Sequence, residues 1–356
     1  MRNSFKAGKR MRVAAIVGLL LGSACLPRTL LAADKPPAET STITFIFEND
    51  LFGNTDDEYT SGLQLGWLSP DLKHYEEEQR LPRWLLPLVH VLPFINVPDS
   101  QHNVGFAIGQ QIFTPKDTQS RALVKDDRPY AGWLYGGLSF ISKNESVLDT
   151  VEIQLGVVGP WALAEDAQSL VHDIRGLVKP QGWDNQLNNE PGLALIYEHK
   201  RRLLRSTNAS GFGYDVITHA GGALGNVFTY LNAGGEVRLG WNLPGDYGTS
   251  IIRPGGDTNA PTSVNDPRVN SHESIGFYLF GGVSGRLVLR DIFLDGNSFS
   301  RSHSVDKEAL VGDAVVGVSL TLRSWKLSYA QALRSREFEQ QRGTHNFGSI
   351  SLSYTF

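Results

Sequence analysis

Two short segments near the start of the chain have residue types that could bind a hard metal ion. The first runs from Phe47 to Leu51 as Phe-Glu-Asn-Asp-Leu. The second runs from Thr55 to Gly62, with three acidic residues followed by Tyr-Thr-Ser-Gly. Clustered carboxylate, amide and carbonyl oxygens are the ligands that Ca²⁺ prefers. On composition alone the commoner interpretation is a solvated acidic loop.

A predicted helix over residues 162–178 carries the histidine best placed for chemistry. Its apolar residues recur at helical spacing and share one stripe, while Gln168 and His172, four residues apart, lie on one side of the helix. Neutral imidazole can act as a general base near neutral pH. A single histidine more often caps a helix or packs, so that interpretation stays open. The stripe consists of Leu163, Leu170, Ile174 and Leu177.

A third polar segment, Asp126 to Trp133, contains two acids and an arginine before a Pro-Tyr-Ala-Gly run. Arg128 and the neighbouring Lys125 could contact an anionic headgroup. A turn held by a salt bridge within the loop is favoured on residue types. The chain lacks a G-x-S-x-G elbow, a phosphate-binding glycine loop and an H-E-x-x-H helix, so the sequence gives no sign of the common hydrolase machineries.

The elements that must position these residues are predicted to be strands. In the last nine residues, apolar and aromatic side chains take even positions and small polar ones take odd positions, as on the two faces of a strand. The same alternation predicts twelve strands, near residues 41–48, 61–68, 103–111, 133–141, 147–157, 192–200, 211–220, 229–241, 274–290, 309–322, 325–334 and 346–356.

A closed, twelve-stranded antiparallel transmembrane barrel explains this pattern better than a soluble sandwich, which remains the alternative. Aromatic residues end several strands, and closure would satisfy every backbone group in lipid. An even strand number puts both termini on the periplasmic side. The segments predicted on the outer side are 49–60, 112–132, 158–191, 221–228, 291–308 and 335–345.

Two periplasmic connections are unusually long in this assignment, Leu72–Gln101 and Asn242–Glu273. The first contains a Trp-Leu-Leu-Pro-Leu-Val run, which could lie along the inner membrane interface as an anchor. A packed loop that plugs the barrel is the alternative.

The first 33 residues are predicted to be a secretory signal peptide, and residues 34–356 the barrel domain. The leader has six basic residues and no acid, followed by a short apolar stretch and Ala32-Ala33. Without those six, 27 of the 33 basic residues would face 37 acidic ones. The single cysteine, Cys25, falls in the leader, and an acylated lipoprotein is the rival interpretation. With a formal net charge of −4, the chain is not predicted to bind nucleic acid.

In these motifs the chain resembles the lipid A 3′-O-deacylase family of Gram-negative outer membranes, the LpxR type. The likeness covers essentially the whole mature chain in matching order. It rests on Phe47–Asp50, Tyr59 to Leu63, Asp127–Gly132, Gly159-Pro160 leading to Gln168 and His172, and Gly182 to Gly192.

The resemblance implies a calcium-dependent carboxylic ester hydrolase in the outer membrane. Its substrate would be lipid A in lipopolysaccharide, from which the 3′-linked acyloxyacyl chain is removed at the outer leaflet. Asn49, Asp50 and Thr60 should form the calcium and oxyanion region, with His172 as general base activating water. Gln168, Gln186 and Arg128 are candidates to orient water or substrate.

Two rival functions remain open on the sequence. One is an outer-membrane phospholipase on the same fold, acting on glycerophospholipids. The other is a non-enzymatic barrel, a channel or an adhesin with solvated acidic loops. A twelve-stranded barrel is narrow, and inward polar residues such as Glu236 and Arg238 are expected to pair across it and block it.

Overall fold

Twelve strands of the described chain form one closed antiparallel barrel, in which β1 pairs with both β2 and β12. The computed structural model describes residues 40–50, 58–92, 94–97, 100–248, 252, 259–263, 266–269 and 275–356, without the side chains of Glu58 and Thr60. The predicted signal peptide lies outside these residues. The predicted fold class is confirmed.

The strand bounds agree with the predicted positions and extend most of them. The strands are β1 Thr42–Asn49, β2 Glu58–Leu68, β3 Gln101–Thr114, β4 Ala131–Lys143, β5 Val147–Val158, β6 Glu190–Thr207, β7 Phe212–Gly225, β8 Phe228–Trp241, β9 Ile275–Asp291, β10 Leu310–Leu322, β11 Trp325–Arg334 and β12 His345–Thr355. Three α-helices of the described chain lie in the connections: α1 Leu86–Val91, α2 Ala164–Arg175 and α3 Ile292–Asp295.

The alternation along each strand separates a lumen face from an outward face. In β1, Ile43 and Phe45 point outward and are exposed, whereas Thr42 and Thr44 point inward. The two inward hydroxyl groups lie in hydrogen-bond contact with Thr355 and Ser353 of β12. A polar inside and an apolar outside are what a barrel in lipid requires.

The two rims differ in the length of their connections. The inner rim carries the start of β1 and the end of β12, together with the tight turns at 144–146, 208–211 and 323–324. The outer rim carries most of the longer loops, including the one that contains α2. Short turns are typical of the periplasmic end and longer loops of the extracellular end. Within the described part of the chain, no helix is long and apolar enough to cross a bilayer.

The two long inner-rim connections lie on opposite sides of the barrel wall. Residues 72–92 and 94–97, which we call the collar, pack against outward-facing residues of β3 and β4, including Val104 and Phe140. Residues 243–248, 252, 259–263 and 266–269, which we call the lumen loop, enter the barrel instead, where Tyr247 packs among inward residues such as Leu68 and Ile217. The plug considered for the first connection is therefore formed by the second.

An ionic network holds the lumen loop in place. The carboxylate of Asp246 lies 2.5 Å from Arg238 of β8, 2.7 Å from Lys326 of β11 and 3.1 Å from Arg268 of the loop itself. All four side chains are fully buried. Arg238 thus lies in the lumen as predicted, and its partners are Asp215 of β7 and the lumen loop.

Candidate active site

Asn49 lies on the outward face of the barrel wall, at the end of β1. It shares parity with Phe45, yet its exposed fraction is 4% against 44% for Phe45. Neighbouring strands place it in one cross-strand row with Ser61, Ile112 and Gly132. An outward polar side chain that is buried at the rim must be covered from outside.

The helix α2 reaches the same outward face because a glycine in the wall and an alanine at the start of the helix let it approach closely. Ala164, its first residue, is buried against Ile112, and a Cβ atom on Gly132 would lie 2.5 Å from the Cβ of Ala164. Just before the helix, the Ala162 carbonyl accepts a hydrogen bond of 2.6 Å from Nε2 of Gln110. The loop between β5 and β6 therefore folds back over the outer side of β3 and β4.

The helix turns its polar face towards the barrel wall. Gln168 and His172 are buried, whereas Leu163, Leu170 and Ile174 are exposed on the opposite side. The predicted helix over 162–178 is confirmed with the bounds 164–175, and its apolar stripe is the outer surface. This polarity is inverted relative to a helix on a soluble protein, and it suits a helix whose outer side borders lipid.

The imidazole of His172 is held in one orientation by a backbone carbonyl. Its Nδ1 lies 2.7 Å from the Val178 carbonyl oxygen, just past the end of α2. A carbonyl oxygen can only accept, so Nδ1 carries the proton of the neutral ring and Nε2 carries the lone pair. The arrangement leaves Nε2 as the basic atom.

Trp183 connects the two glutamines predicted to orient water or substrate. Its Nε1 donates to Oε1 of Gln168 at 3.0 Å, and its carbonyl accepts from the backbone N–H of Gln186 at 3.1 Å. Among the described residues, Nε2 of Gln168 and Oε1 of Gln186 are buried without a hydrogen-bond partner. Buried orphan groups of this kind call for an unseen partner such as water or a ligand.

The oxygen-bearing residues fit a hard cation by donor type. Asp50 directly follows β1 and is fully buried, next to the amide of Asn49. Thr60 lies in β2 at the register shift between Tyr59 and Ser61, and its side chain is outside the described residues. In the part of the chain that the structure describes, no three His, Cys, Asp or Glu side chains form a metal-binding group. Any cation would therefore depend on amide, hydroxyl or backbone oxygens beside the carboxylate.

Arg128 lies on the lumen side of the wall rather than beside α2. Its guanidinium is buried 2.8 Å from Glu337 and stacks near the inward-facing Phe113. Burial raises the pKa of Glu337, but attraction to Arg128 and Arg334 outweighs it and lowers that pKa from 4.5 to about 2. The salt bridge that Arg128 forms is not within its own loop, as the residue types favoured, but joins two different loops. A headgroup contact would require Arg128 to leave Glu337.

Three contributors to the site lie in the segments that carry the resemblance but were assigned no function from the sequence: Ser61, Gly132 and Trp183. Ser61 faces outward beside Asn49, Gly132 provides the flat wall under α2, and Trp183 fixes Gln168. Parity along β2 could have identified Ser61. The partners of the other two come from distant parts of the chain, which no local pattern reveals.

A closed twelve-stranded barrel with an apolar outward face and an amphipathic helix packed against its outer rim defines an integral outer-membrane protein. The chain belongs to the LpxR family, since the family described as "Outer membrane protein LpxR" matches residues 17–356. It is therefore located in the outer membrane. Family membership supports an enzyme that modifies lipid A.

One solved structure supports the fold. LpxR from Salmonella typhimurium superposes with a TM-score of 0.68 and 20% identity, covering 88% of this chain and all of that one (100%). The beta domain of the Bordetella autotransporter BrkA gives a TM-score of 0.40 at 8% identity, covering 89% of this chain and 98% of its own. The first of these bears on the fold alone, and the second is too distant to bear on either fold or function. No curated protein sequence matches the chain.

Proposed function

We propose that this protein is a calcium-dependent lipid A 3′-O-deacylase, which hydrolyses the 3′-linked acyloxyacyl ester of lipopolysaccharide. The observation that carries the proposal is the position of His172: a buried base, oriented by a backbone carbonyl, on a helix that lies against the outward face of the wall. A site on that face meets lipid directly. Membership in the LpxR family supports the substrate.

The chain's own residues can perform the proton transfers of ester hydrolysis. Nε2 of neutral His172 takes a proton from water, and the water oxygen attacks the ester carbonyl carbon. The protonated ring then gives the proton to the sugar 3′ oxygen as the carbon–oxygen bond breaks, releasing the acyloxyacyl chain as a carboxylic acid. The Val178 carbonyl stays bonded to Nδ1 throughout and stabilises the charged ring.

Water and substrate need polar groups that hold them in the attack geometry. Nε2 of Gln168 and Oε1 of Gln186, both without a partner in the described structure, offer one donor and one acceptor near Trp183. The exposed apolar stripe on the outer side of α2 suits the acyl chains of the surrounding leaflet. Substrate could thus enter from the membrane without crossing the lumen.

Asn49, Asp50 and Thr60 are the residues proposed to hold calcium, because Asn49 ends β1, Asp50 directly follows it and Thr60 lies near the start of the paired strand β2, and their amide, carboxylate and hydroxyl groups are donor types that calcium prefers. When bound, calcium supplies positive charge that stabilises the negative charge developing on the ester carbonyl oxygen. Asn49 then has a second role, since its side-chain amide can donate to the same oxygen.

The test is mass spectrometry of lipid A after incubation with the purified, refolded protein. Wild-type protein with calcium should remove the 3′ acyloxyacyl chain, and a chelator should abolish the reaction. His172→Asn should lower the rate by roughly 100-fold or more, because a positioned base contributes about that factor. His90→Asn, which changes an exposed histidine on the collar, is the matched control and should be fully active.

Two results would overturn the proposal. One is a His172→Asn protein that is as active as wild type and is folded, as shown by faster electrophoretic migration of the unheated sample than of the heated one. The other is release of fatty acid from glycerophospholipid vesicles with lipid A left intact, which would make the protein a phospholipase.

A further inference from the structure

The collar covers part of the barrel's outer wall near the inner rim. Val104 and Phe140 have outward parity. Val104 is nevertheless 0% exposed, whereas Ile108, which lies on the same face of β3 four residues further along, is 58% exposed. The cover comes from an apolar cluster that includes Leu72, Tyr75, Leu81, Val89 and Ile95 of the collar.

The collar spreads sideways over several strands. At one side the guanidinium carbon of Arg80 lies 4.7 Å from the ring centroid of Trp67, on the outward face of β2. At the other side the ring of Phe94 lies 4.7 Å from the ring of Tyr197 on β6. The segment therefore extends from β2 to β6 at the level where the wall's outward residues are aromatic. Aromatic side chains typically mark the membrane interface.

Specific hydrogen bonds fix the collar to the barrel and to itself. The hydroxyl group of Tyr75 donates to the carbonyls of Ile95, at 3.2 Å, and Ile141, at 2.9 Å. The side chain of Asn96 donates to the carbonyls of Val89 and Leu92. These contacts give the collar a defined outer surface.

That outer surface is strongly apolar. Trp84 is 71% exposed and Val91 72% exposed, and Leu88 and Phe94 are more than half exposed. Arg83, beside Trp84, is exposed too. A tryptophan, three apolar side chains and adjacent arginines form the composition of a helix that rests in a membrane interface.

We propose that the collar is a phospholipid anchor, which rests in the inner leaflet of the outer membrane with Trp84, Leu88 and Val91 among the acyl chains. We choose phospholipid as the occupant because this surface adjoins the apolar outward face of the barrel, which lipid covers. The two surfaces meet at Trp67 and Tyr197. Arg83 is exposed beside Trp84 and could contact a headgroup phosphate, whereas Arg80 is paired with Glu78 at 3.2 Å. The proposal is independent of the reaction at the outer rim.

The test uses single cysteines, because Cys25 is the only one in the chain. In a Cys25→Ser background, Leu88→Cys and Val91→Cys carry a nitroxide label, and the protein is folded into phosphatidylethanolamine–phosphatidylglycerol vesicles. The matched control is Ala209→Cys, an exposed residue in the tight turn between β6 and β7 at the same rim. Collisions with oxygen, which concentrates in lipid, and with a water-soluble nickel chelate are measured at each site.

We expect labels at positions 88 and 91 to collide with oxygen several-fold more, relative to nickel, than the label at position 209. Equal ratios at the three positions would overturn the anchor. So would labels that are shielded from both reagents and broaden one another as the labelled fraction rises, because that result would show a second copy of this chain on the surface. All three positions are exposed, so the variants should fold, and migration before heating checks this.

Discussion

Nε1 of Trp183 donates a 3.0 Å hydrogen bond to Oε1 of Gln168, and this bond joins α2 to the segment that follows it. The Trp183 ring also contacts Tyr130, with the ring centroids 4.8 Å apart, so a residue before β4 supports the same indole. The glutamine is thus oriented by a side chain whose own position is set by the barrel wall. Because this bond fixes Oε1 of Gln168, it also fixes the direction in which Nε2 of the same side chain points.

Replacing Trp183 with phenylalanine should lower the deacylation rate about three- to ten-fold while the barrel stays folded. The reason is that phenylalanine keeps most of the packing but loses one hydrogen bond, which contributes about 0.5–1.5 kcal/mol. Initial rates on purified lipopolysaccharide measure the effect. Trp84→Phe, which changes an exposed tryptophan on the collar, should leave the rate unchanged. An unaltered rate in Trp183→Phe would remove Gln168 from the site.

Gly132 tests whether α2 must lie close to the wall. In Gly132→Ala the new Cβ would lie 2.5 Å from the Cβ of Ala164 and 2.9 Å from that of Ala162, so the helix must lift. A misplacement of about 1 Å in a catalytic group can cost roughly 100-fold in rate, and we expect a loss approaching that size.

The control for this substitution is on the same strand and the same face. In Gly136→Ala the nearest atom to the new Cβ is the Ala107 carbonyl oxygen at 3.9 Å, which is ordinary contact. Rates and thermal stability of the two variants should be measured side by side. If both variants keep wild-type activity, the close approach of α2 to the wall has no part in the reaction.

The period-two alternation was enough to predict the barrel, its strand number and the gathering of the polar segments at one rim. It did not give the ends of the longest strands. The predicted β6 ends at residue 200, where basic residues begin, but pairing with β7 continues to Thr207. Charged residues can extend a hairpin beyond the membrane, where water takes the place of lipid. A pattern based on apolar residues stops at the membrane edge.

Which side of the wall a loop covers could not be predicted from local pattern. Arg128 and Glu337 are 209 positions apart, so the charge of Arg128 gave no indication of its partner. The helix α2 had the right residues and the right period, but only the small Gly132 beneath it shows that its polar face packs on the wall. The collar and the lumen loop are both long and rich in turns, and their opposite positions follow from tertiary contacts alone.

Glu337 should make the stability of the outer rim depend on pH. Its pKa is lowered from 4.5 to about 2 in the folded protein, so the unfolded chain binds the proton first as the pH falls. The stabilisation is therefore complete above about pH 4.5 and is lost as the pH falls towards 2. Urea unfolding of the protein in vesicles, followed between pH 7 and pH 3, should show this loss.

The variant Glu337→Gln should weaken that pH dependence and lower stability at neutral pH by roughly 3 kcal/mol or more, because the buried guanidinium of Arg128 loses the carboxylate that lies 2.8 Å from it. Glu339→Gln, at an exposed position in the same loop, is the control and should behave as wild type. A Glu337→Gln protein with the wild-type pH profile would show that the pair does not stabilise the rim.

The ionic network around Asp246 should keep the barrel closed to ions. Three cationic side chains, those of Arg238, Arg268 and Lys326, converge on this one carboxylate, which ties the lumen loop to two strands.

We expect wild-type protein in planar bilayers to show no steady conductance. In Asp246→Asn the three cations lose their shared counter-charge and repel one another, so the loop should leave its seat intermittently and give flickering openings. Glu308→Gln, which removes a partly exposed carboxylate that pairs with Arg336, should remain silent. A steady conductance in the wild-type protein would mean that the lumen loop does not seal the barrel, and the channel alternative would then regain its support.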